Sequence, residues 1–149
     1  MDIQTYNYFI KKIKVFKAKV LTIAPPGDQS RHNLYNHVDK DEKFTLIVNR
    51  KGHRNLHNLT ILLNKFTKNE ILVRFDVNGS DHQNPDGTII PTPHLHLYND
   101  EYDNGGIAIP LSEVSDTSLI KELDDSLEFF MNYTNIKKEN VKITTKLLK

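Results

Sequence analysis

The chain has 149 residues, of which 38% are hydrophobic and 26% are charged, and its formal net charge is +1. This composition predicts one folded domain over residues 1–149 and excludes a disordered chain. The absence of cysteine excludes disulfide bonds, thiolate catalysis and cysteine-based zinc sites. No apolar run approaches the roughly 20 residues that span a membrane, so we expect a cytoplasmic protein with no membrane partner.

The N-terminal region is predicted to form a helix over residues 3–22. Apolar residues recur there at intervals of three and four, which is typical of a helix with one buried face. The sequence PPG at positions 25–27 predicts the end of this helix. The polar residues 25–42 predict a connector in which His32 and His37 are exposed.

A sheet is predicted between residues 43 and 111, because short apolar segments there alternate with polar residues and are separated by turn signals. A second helix is predicted over residues 116–132, followed by a basic tail over residues 137–149. This order predicts an α+β fold. We expect a curved, mostly antiparallel sheet of about five or six strands, like a half-open barrel, with one N-terminal and one C-terminal helix.

Polar residues that look arranged for chemistry lie in two of the predicted strands. Successive side chains in a strand point to opposite faces. Arg74 and Asp76 therefore share one face of their strand, and His94, His96 and Tyr98 share one face of another. If the two strands pair, these five side chains lie on one outward surface.

The connector between these strands, residues 78–93, is rich in turn-forming dipeptides and is long for a hairpin loop. A long loop in a compact domain is usually functional or disordered. Its histidine, asparagine and aspartate content favours a functional loop. We expect it to arch over the polar surface and to bring His82, Asn84 and Asp86 near it.

Such a cluster suits metal-free acid–base cleavage of RNA. Histidine titrates near neutral pH and can act as proton donor or acceptor, while an arginine can hold the scissile phosphate. The candidate catalytic residues are Arg74, Asp76, His82, His94 and His96. Tyr98 could stack on a base, and basic residues between two predicted strands could contact phosphates. These candidate nucleic-acid contacts are Arg50, Lys51 and Arg54.

Two other interpretations of the cluster remain open. The pair His94 and His96 could bind a metal ion, with Asp76, His82 or Glu101 as a third ligand. Alternatively, the histidines could be ordinary polar residues of a strand, and Arg74 with Asp76 a weak surface ion pair. The sequence predicts no cofactor beyond this metal alternative.

The segment RFDVNGSDHQNPDG, followed by PHLHLY, resembles a group of small proteins of bacteria and their prophages, and is similar to TumE-type toxins of toxin–antitoxin pairs. The resemblance covers residues 71–131. It implies a small toxin that attacks RNA or its translation and is neutralised by a cognate antitoxin. By matching position, the site would be carried by Asp76, His82, His94 and His96.

A rival hypothesis is that the protein inhibits a host-defence nuclease, such as a CRISPR effector, without catalysis. Residues 100–128 contain nine acidic residues against one lysine, and such a surface could bind a basic, nucleic-acid-binding face. The candidate partner-binding residues are Asp100, Glu101, Asp103 and Glu113. In this case the histidines would be dispensable.

Overall fold

The computed structural model describes residues 1–51, 58–65, 70–98, 100–116 and 122–145, without the side chains of residues 103–105. Two α-helices are present in this part of the chain, α1 (Ile3–Lys11) and α2 (Leu123–Thr134), together with two short 3₁₀ helices, Asp100–Gly105 and Leu111–Glu113. The strands are β1 (Lys14–Phe16), β2 (Val20–Ile23), β3 (Gln29–Asn36), β4 (Lys43–Asn49), β5 (Thr60–Lys65), β6 (Glu70–Asp76), β7 (His82–Gln83), β8 (Ile89–Ile90), β9 (His94–Leu97), β10 (Ile107–Pro110), β11 (Ile136–Lys137) and β12 (Lys142–Thr145).

The main sheet has eight strands in the order β10-β9-β6-β5-β4-β3-β1-β11. Neighbouring strands within this sheet run antiparallel, except that β1 and β11 are parallel. Strands β2 and β12 form a separate parallel pair, and β7 with β8 form a small antiparallel hairpin. The predicted α+β class, with two helices and a mostly antiparallel sheet, is confirmed. The sheet has more strands than the five or six expected, and its described strands do not close into a barrel.

One face of the main sheet carries the apolar core. Alternate side chains of the central strands point to this face and are almost fully buried, as Phe44 and Phe75 are. The helices contribute aromatic rings that pack edge to face on them: Phe9 lies 5.9 Å from Phe44, and Phe129 lies 5.1 Å from Phe75, between ring centroids. Phe9, Phe44 and Phe75 are buried, and the removal of each of these rings from water contributes about 1.5–3 kcal/mol.

The predicted helix over residues 3–22 is wrong beyond Lys11. Asp2 caps the start of α1 by accepting a hydrogen bond from the backbone N–H of Thr5. Residues 14–23 then form β1 and β2, which pair with β3, β11 and β12. The helical spacing of apolar residues was overridden by strand partners from distant parts of the chain, which a local pattern cannot reveal.

Lys14 also contradicts that helix, because its side chain is fully buried rather than on a solvated face. Its Nζ donates hydrogen bonds to the carbonyl oxygens of Ile10 at 3.3 Å, Lys12 at 2.9 Å and Thr134 at 2.7 Å. These carbonyls lie at the C-terminal ends of α1 and α2, where a cation is favoured. Burial lowers the pKa of Lys14 to about 7. Lys14 therefore joins the two helix ends.

The predicted polar connector over residues 25–42 contains β3, which lies between β4 and β1 inside the main sheet. His32, Leu34 and Asn36 alternate along it and are buried, so the prediction that His32 is exposed is wrong. Nε2 of His32 lies 2.9 Å from the hydroxyl oxygen of Ser30. Burial lowers the pKa of His32. The polar composition concealed the strand although its alternation is visible in the sequence.

The C-terminal elements also differ from the predicted boundaries. The second helix was predicted over 116–132, and α2 begins at Leu123, where Glu122 and Asp125 exchange side chain-to-backbone hydrogen bonds as a capping box. Residues 117–121, at the predicted start of this helix, lie outside the described residues. The predicted basic tail contributes β11 and β12, parallel partners of β1 and β2. The described part of the chain contains no helix that is both long and apolar enough to cross a membrane.

Candidate functional site

The predicted polar face is formed by β6 and β9, which are neighbours in the main sheet. In their antiparallel register, Asp76 lies opposite His94 and Arg74 lies opposite His96. Directly opposed residues place their side chains on the same face, about 4.5–5.5 Å apart at Cβ. The strand alternation thus brings these four side chains together, as the sequence predicted.

Three polar atoms converge at one point on this face. Nε2 of His94 lies 3.0 Å from Oδ2 of Asp76, and Nε2 of His96 lies 3.3 Å from the same oxygen. The two Nε2 atoms are 3.2 Å apart. All three residues are buried, with exposed fractions of 8% for Asp76, 1% for His94 and 7% for His96. We call these three residues the Asp-His-His cluster.

The other carboxylate oxygen of Asp76 has different partners. Its Oδ1 accepts a hydrogen bond of 2.9 Å from the hydroxyl of Thr60 and another of 2.9 Å from Nε of Arg74. Burial would raise the pKa of the Asp76 carboxyl, but the hydrogen bonds from the two imidazoles and from Arg74, with the charge of Arg74, hold it well below its usual range. Asp76 is therefore an anion with each oxygen in a fixed role.

The β7–β8 hairpin covers one side of the cluster, as was expected of residues 78–93. The ring of His82 lies edge-on to that of His96, 4.6 Å away, and 6.2 Å from that of His94, between ring centroids. Nε2 of His82 lies 2.9 Å from the carbonyl oxygen of Gly106. A carbonyl oxygen can only accept, so Nε2 carries a proton, and in the neutral imidazole the lone pair is on Nδ1.

Asn84 anchors the same hairpin to β10, at the edge of the main sheet. Its Nδ2 donates to the carbonyl oxygen of Ala108 at 3.0 Å, and the N–H of Ala108 donates to its Oδ1 at 2.8 Å. The amide thus substitutes for a backbone partner and covers this edge. Asp86 is exposed and accepts a hydrogen bond from the N–H of Thr88, so it lies at the hairpin tip and not at the cluster.

The expectation that the polar face of β9 points into solvent is wrong. All four residues of β9 are buried, so both faces of this strand are covered. The Asp-His-His cluster reaches the surface through its neighbours: the side chain of Arg74 is 43% exposed, and His82 and Tyr98 are half-buried. Arg74 also hydrogen-bonds Tyr98, and the charge and hydrogen bonds of Asp76 and Tyr98 outweigh its desolvation and raise the pKa of the guanidinium.

The predicted phosphate contacts Arg50 and Lys51 directly follow β4. Arg50 donates to the carbonyl oxygen of Ala24 at 3.1 Å, so it holds the segment before β3. Lys51 is exposed, and Arg54 lies outside the described residues. Among the predicted nucleic-acid contacts in the described residues, Tyr98 adjoins the cluster through Arg74.

The four candidate partner-binding residues of the acidic stretch lie on the two 3₁₀ helices. Asp100 pairs with the N-terminal amine at 3.3 Å, while Glu101 and Glu113 are exposed and accessible to a basic partner. The side chain of Asp103 lies outside the described residues. The described residues that could hold a metal ion are those of the Asp-His-His cluster, whose donor atoms all lie within 4.8 Å of one another. In a metal site at this position the third ligand would therefore be Asp76 and not Glu101.

Sequence reasoning missed two features. Thr60 was given no role, and only the β5–β6 register, in which it opposes Asp76, identifies it. A cavity of about 350 Å³ lies beside β3 and β4 and is lined by the aromatic ring of Tyr35 and by three lysines, Lys17, Lys40 and Lys43. Alternation within residues 29–36 assigns Tyr35 to the face of β3 opposite Leu34, and the β3–β4 register places it opposite Lys43.

Comparison with known proteins assigns the chain to a family but identifies no activity. No curated protein and no solved structure shows a significant match to it. A family profile matches residues 1–136, which include the whole Asp-His-His cluster, Arg74, Thr60 and His82. The chain therefore belongs to this family of unknown function, DUF6978.

Proposed function

We propose that the protein is a toxin-like, cytoplasmic protein of a bacterial toxin–antitoxin or prophage system that binds and cleaves RNA and is neutralised by a partner antitoxin. One observation carries this proposal. A carboxylate, two buried imidazoles and a guanidinium converge within hydrogen-bonding distance, next to a third imidazole nearer the surface. Titratable groups in such mutual contact are characteristic of catalytic sites.

Arg74 is the phosphate-binding group of this proposal. Its Nε is fixed by Asp76 at 2.9 Å and its side chain is 43% exposed. A guanidinium has five N–H donors, so further donors remain for phosphate oxygens after Nε is bound. Such a fixed cation stabilises the charge that develops on a phosphate during cleavage. The neighbouring ring of Tyr98 is a stacking surface for a base.

His82 is the proton acceptor of this proposal. It is half-buried, and the bond from Nε2 to the carbonyl of Gly106 leaves the lone pair on Nδ1. In the reaction, the 2′-oxygen of RNA attacks phosphorus, its proton passes to Nδ1 of His82, and the bond from phosphorus to the 5′-oxygen breaks. The 5′-oxygen takes a proton from water, and a 2′,3′-cyclic phosphate remains. His94 and His96 act indirectly. They hold the carboxylate of Asp76 in place, and that carboxylate in turn holds the guanidinium of Arg74.

The experiment is cleavage of a mixed-sequence single-stranded RNA by the purified chain. The His82→Gln variant should lose about 100-fold or more of the rate, the usual contribution of a general base. His37→Gln is the matched control, because His37 is an exposed histidine outside the cluster. DNA of the same sequence has no 2′-hydroxyl and should remain intact.

Growth inhibition by the expressed protein should disappear in the His94→Ala/His96→Ala double variant and persist in His37→Gln. Three results would overturn the proposal: no RNA cleavage by the wild type, equal cleavage by the wild type and His82→Gln, or equal cleavage of RNA and DNA.

A further inference from the structure

We propose that the Asp-His-His cluster is a binding site for one divalent transition-metal ion of the zinc type, with Oδ2 of Asp76 and Nε2 of His94 and His96 as ligands. The inference concerns the same cluster as the proposed function and deepens it by naming an ion that the cluster holds. Its catalytic use rests on the proposed function, whereas binding of the ion does not.

The distances between the three donor atoms are those of a metal site. They are 3.0 Å from His94 to Asp76, 3.3 Å from His96 to Asp76 and 3.2 Å between the two imidazoles. Zinc bonds to nitrogen and oxygen ligands are about 2.0–2.2 Å long, so ligands at angles between 90° and the tetrahedral value lie about 2.8–3.6 Å apart. All three separations fall in this interval.

Hydrogen bonding alone cannot satisfy this triangle. Each Nε2 has one site, which holds either a proton or a lone pair, and the carboxylate oxygen can only accept. If both imidazoles donate to Oδ2 of Asp76, the two N–H groups lie side by side with their nitrogens 3.2 Å apart, and no hydrogen bond joins them. If one imidazole accepts from the other, its lone pair faces the carboxylate. One edge is repulsive in either arrangement, whereas a cation attracts all three atoms at once.

The surroundings fix the donors toward a common centre. Oδ1 of Asp76 is bound by Thr60 and Arg74, so Oδ2 is the oxygen that faces the imidazoles. Partners of this kind, one shell beyond the ligands, orient metal-binding carboxylates. Nδ1 of His94 is buried with no hydrogen-bond partner among the described residues, so its described polar contacts are all made through Nε2. The ring of His94 therefore presents Nε2, and not Nδ1, to Asp76 and His96.

The donor set selects the class of ion. Two imidazole nitrogens and one carboxylate oxygen suit Zn²⁺, Co²⁺ and Mn²⁺, whereas Mg²⁺ and Ca²⁺ prefer oxygen ligands. Three protein ligands leave a position open, as in catalytic zinc sites, and that position can accept a water molecule or a phosphate oxygen. Arg74 would then be a second cation beside the same phosphate.

The test is metal titration of the full chain after treatment with EDTA. We expect one equivalent of Zn²⁺ by calorimetry, one equivalent of Co²⁺ by visible absorption, and no response to Mg²⁺. At a free Zn²⁺ concentration of a hundred times Kd, the melting temperature should rise by about 8 °C. The variants His94→Ala and His96→Ala should lose binding, whereas His37→Gln, at an exposed histidine outside the cluster, should keep it.

The wild type alone can overturn the inference, whether or not the variants fold. Less than half an equivalent of Co²⁺ or Zn²⁺ bound at about 100 µM ion, or the same response to Mg²⁺ as to Zn²⁺, would do so. Binding of one equivalent without RNA cleavage supports the inference and overturns the proposed function. RNA cleavage by a chain that binds no ion supports the proposed function and overturns the inference.

Discussion

Thr60→Val removes one of the two donors that hold Oδ1 of Asp76 and leaves the shape of the side chain nearly unchanged. The hydrogen bond is 2.9 Å long and ends on an anion. Bonds to charged groups contribute about 1.5–3 kcal/mol. Thr60 is half-buried and Arg74 remains as the second donor, so we expect a loss near the lower limit, about 1.5 kcal/mol. For a domain of this size, that loss lowers the melting temperature by about 5 °C.

Calorimetric unfolding in EDTA measures this change, and a competition titration measures Zn²⁺ affinity. Loss of a partner that orients a ligand typically weakens metal binding by about 10–100-fold. Thr22→Val is the matched control, because Thr22 is exposed and lies in β2, away from the cluster. If Thr60→Val and Thr22→Val have the same melting temperature and zinc affinity, Thr60 does not hold Asp76 and the assignment of separate roles to its two oxygens fails.

Three further predictions concern other residues. Burial lowers the pKa of Lys14 from 10.5 to about 7, so the folded state binds fewer protons than the unfolded state between these values. The free energy of unfolding should therefore rise with pH in this range, by up to about 1.4 kcal/mol per pH unit, and urea unfolding of Lys14→Met should lack this rise. Asn84→Ala should lower the free energy of unfolding by about 1–3 kcal/mol and speed hydrogen exchange of the β10 amide that donates to Asn84, and unchanged exchange would contradict its role as an edge cover. Arg74→Gln should reduce the salt dependence of RNA binding by about one phosphate contact in fluorescence anisotropy, and an equal effect of the exposed Lys138→Glu would contradict the assignment of Arg74 as a phosphate contact.

The cluster was predictable from the sequence because its geometry depends on alternation within two strands. Arg74 and Asp76 are two residues apart, as are His94 and His96, so the pairing of β6 with β9 is enough to gather them. Their burial was not predictable in the same way. It depends on the β7–β8 hairpin, whose position is fixed by bonds from His82 and Asn84 to residues 106 and 108.

The first third of the chain was predicted poorly because its partners are distant. Residues 14–23 fit a helical spacing locally, and their strand conformation comes from pairing with β3, β11 and β12. The polar residues of β3 predict a loop, yet the position of β3 between two neighbouring strands makes alternate residues face inward whatever their polarity. Burial of Lys14 depends on carbonyls of α1 and α2 that no local pattern connects.

The parallel pairings of β1 with β11 and of β2 with β12 affect how the chain folds as it is synthesised. Both early strands find these partners about 120 residues later, which is a costly loop to close and slows folding. A nascent chain that has passed residue 100 already contains β6 and β9, but one side of β1 still lacks its neighbour. We therefore expect ribosome-bound intermediates to be open to proteases near residues 14–23 and to become resistant only after residue 145 has emerged.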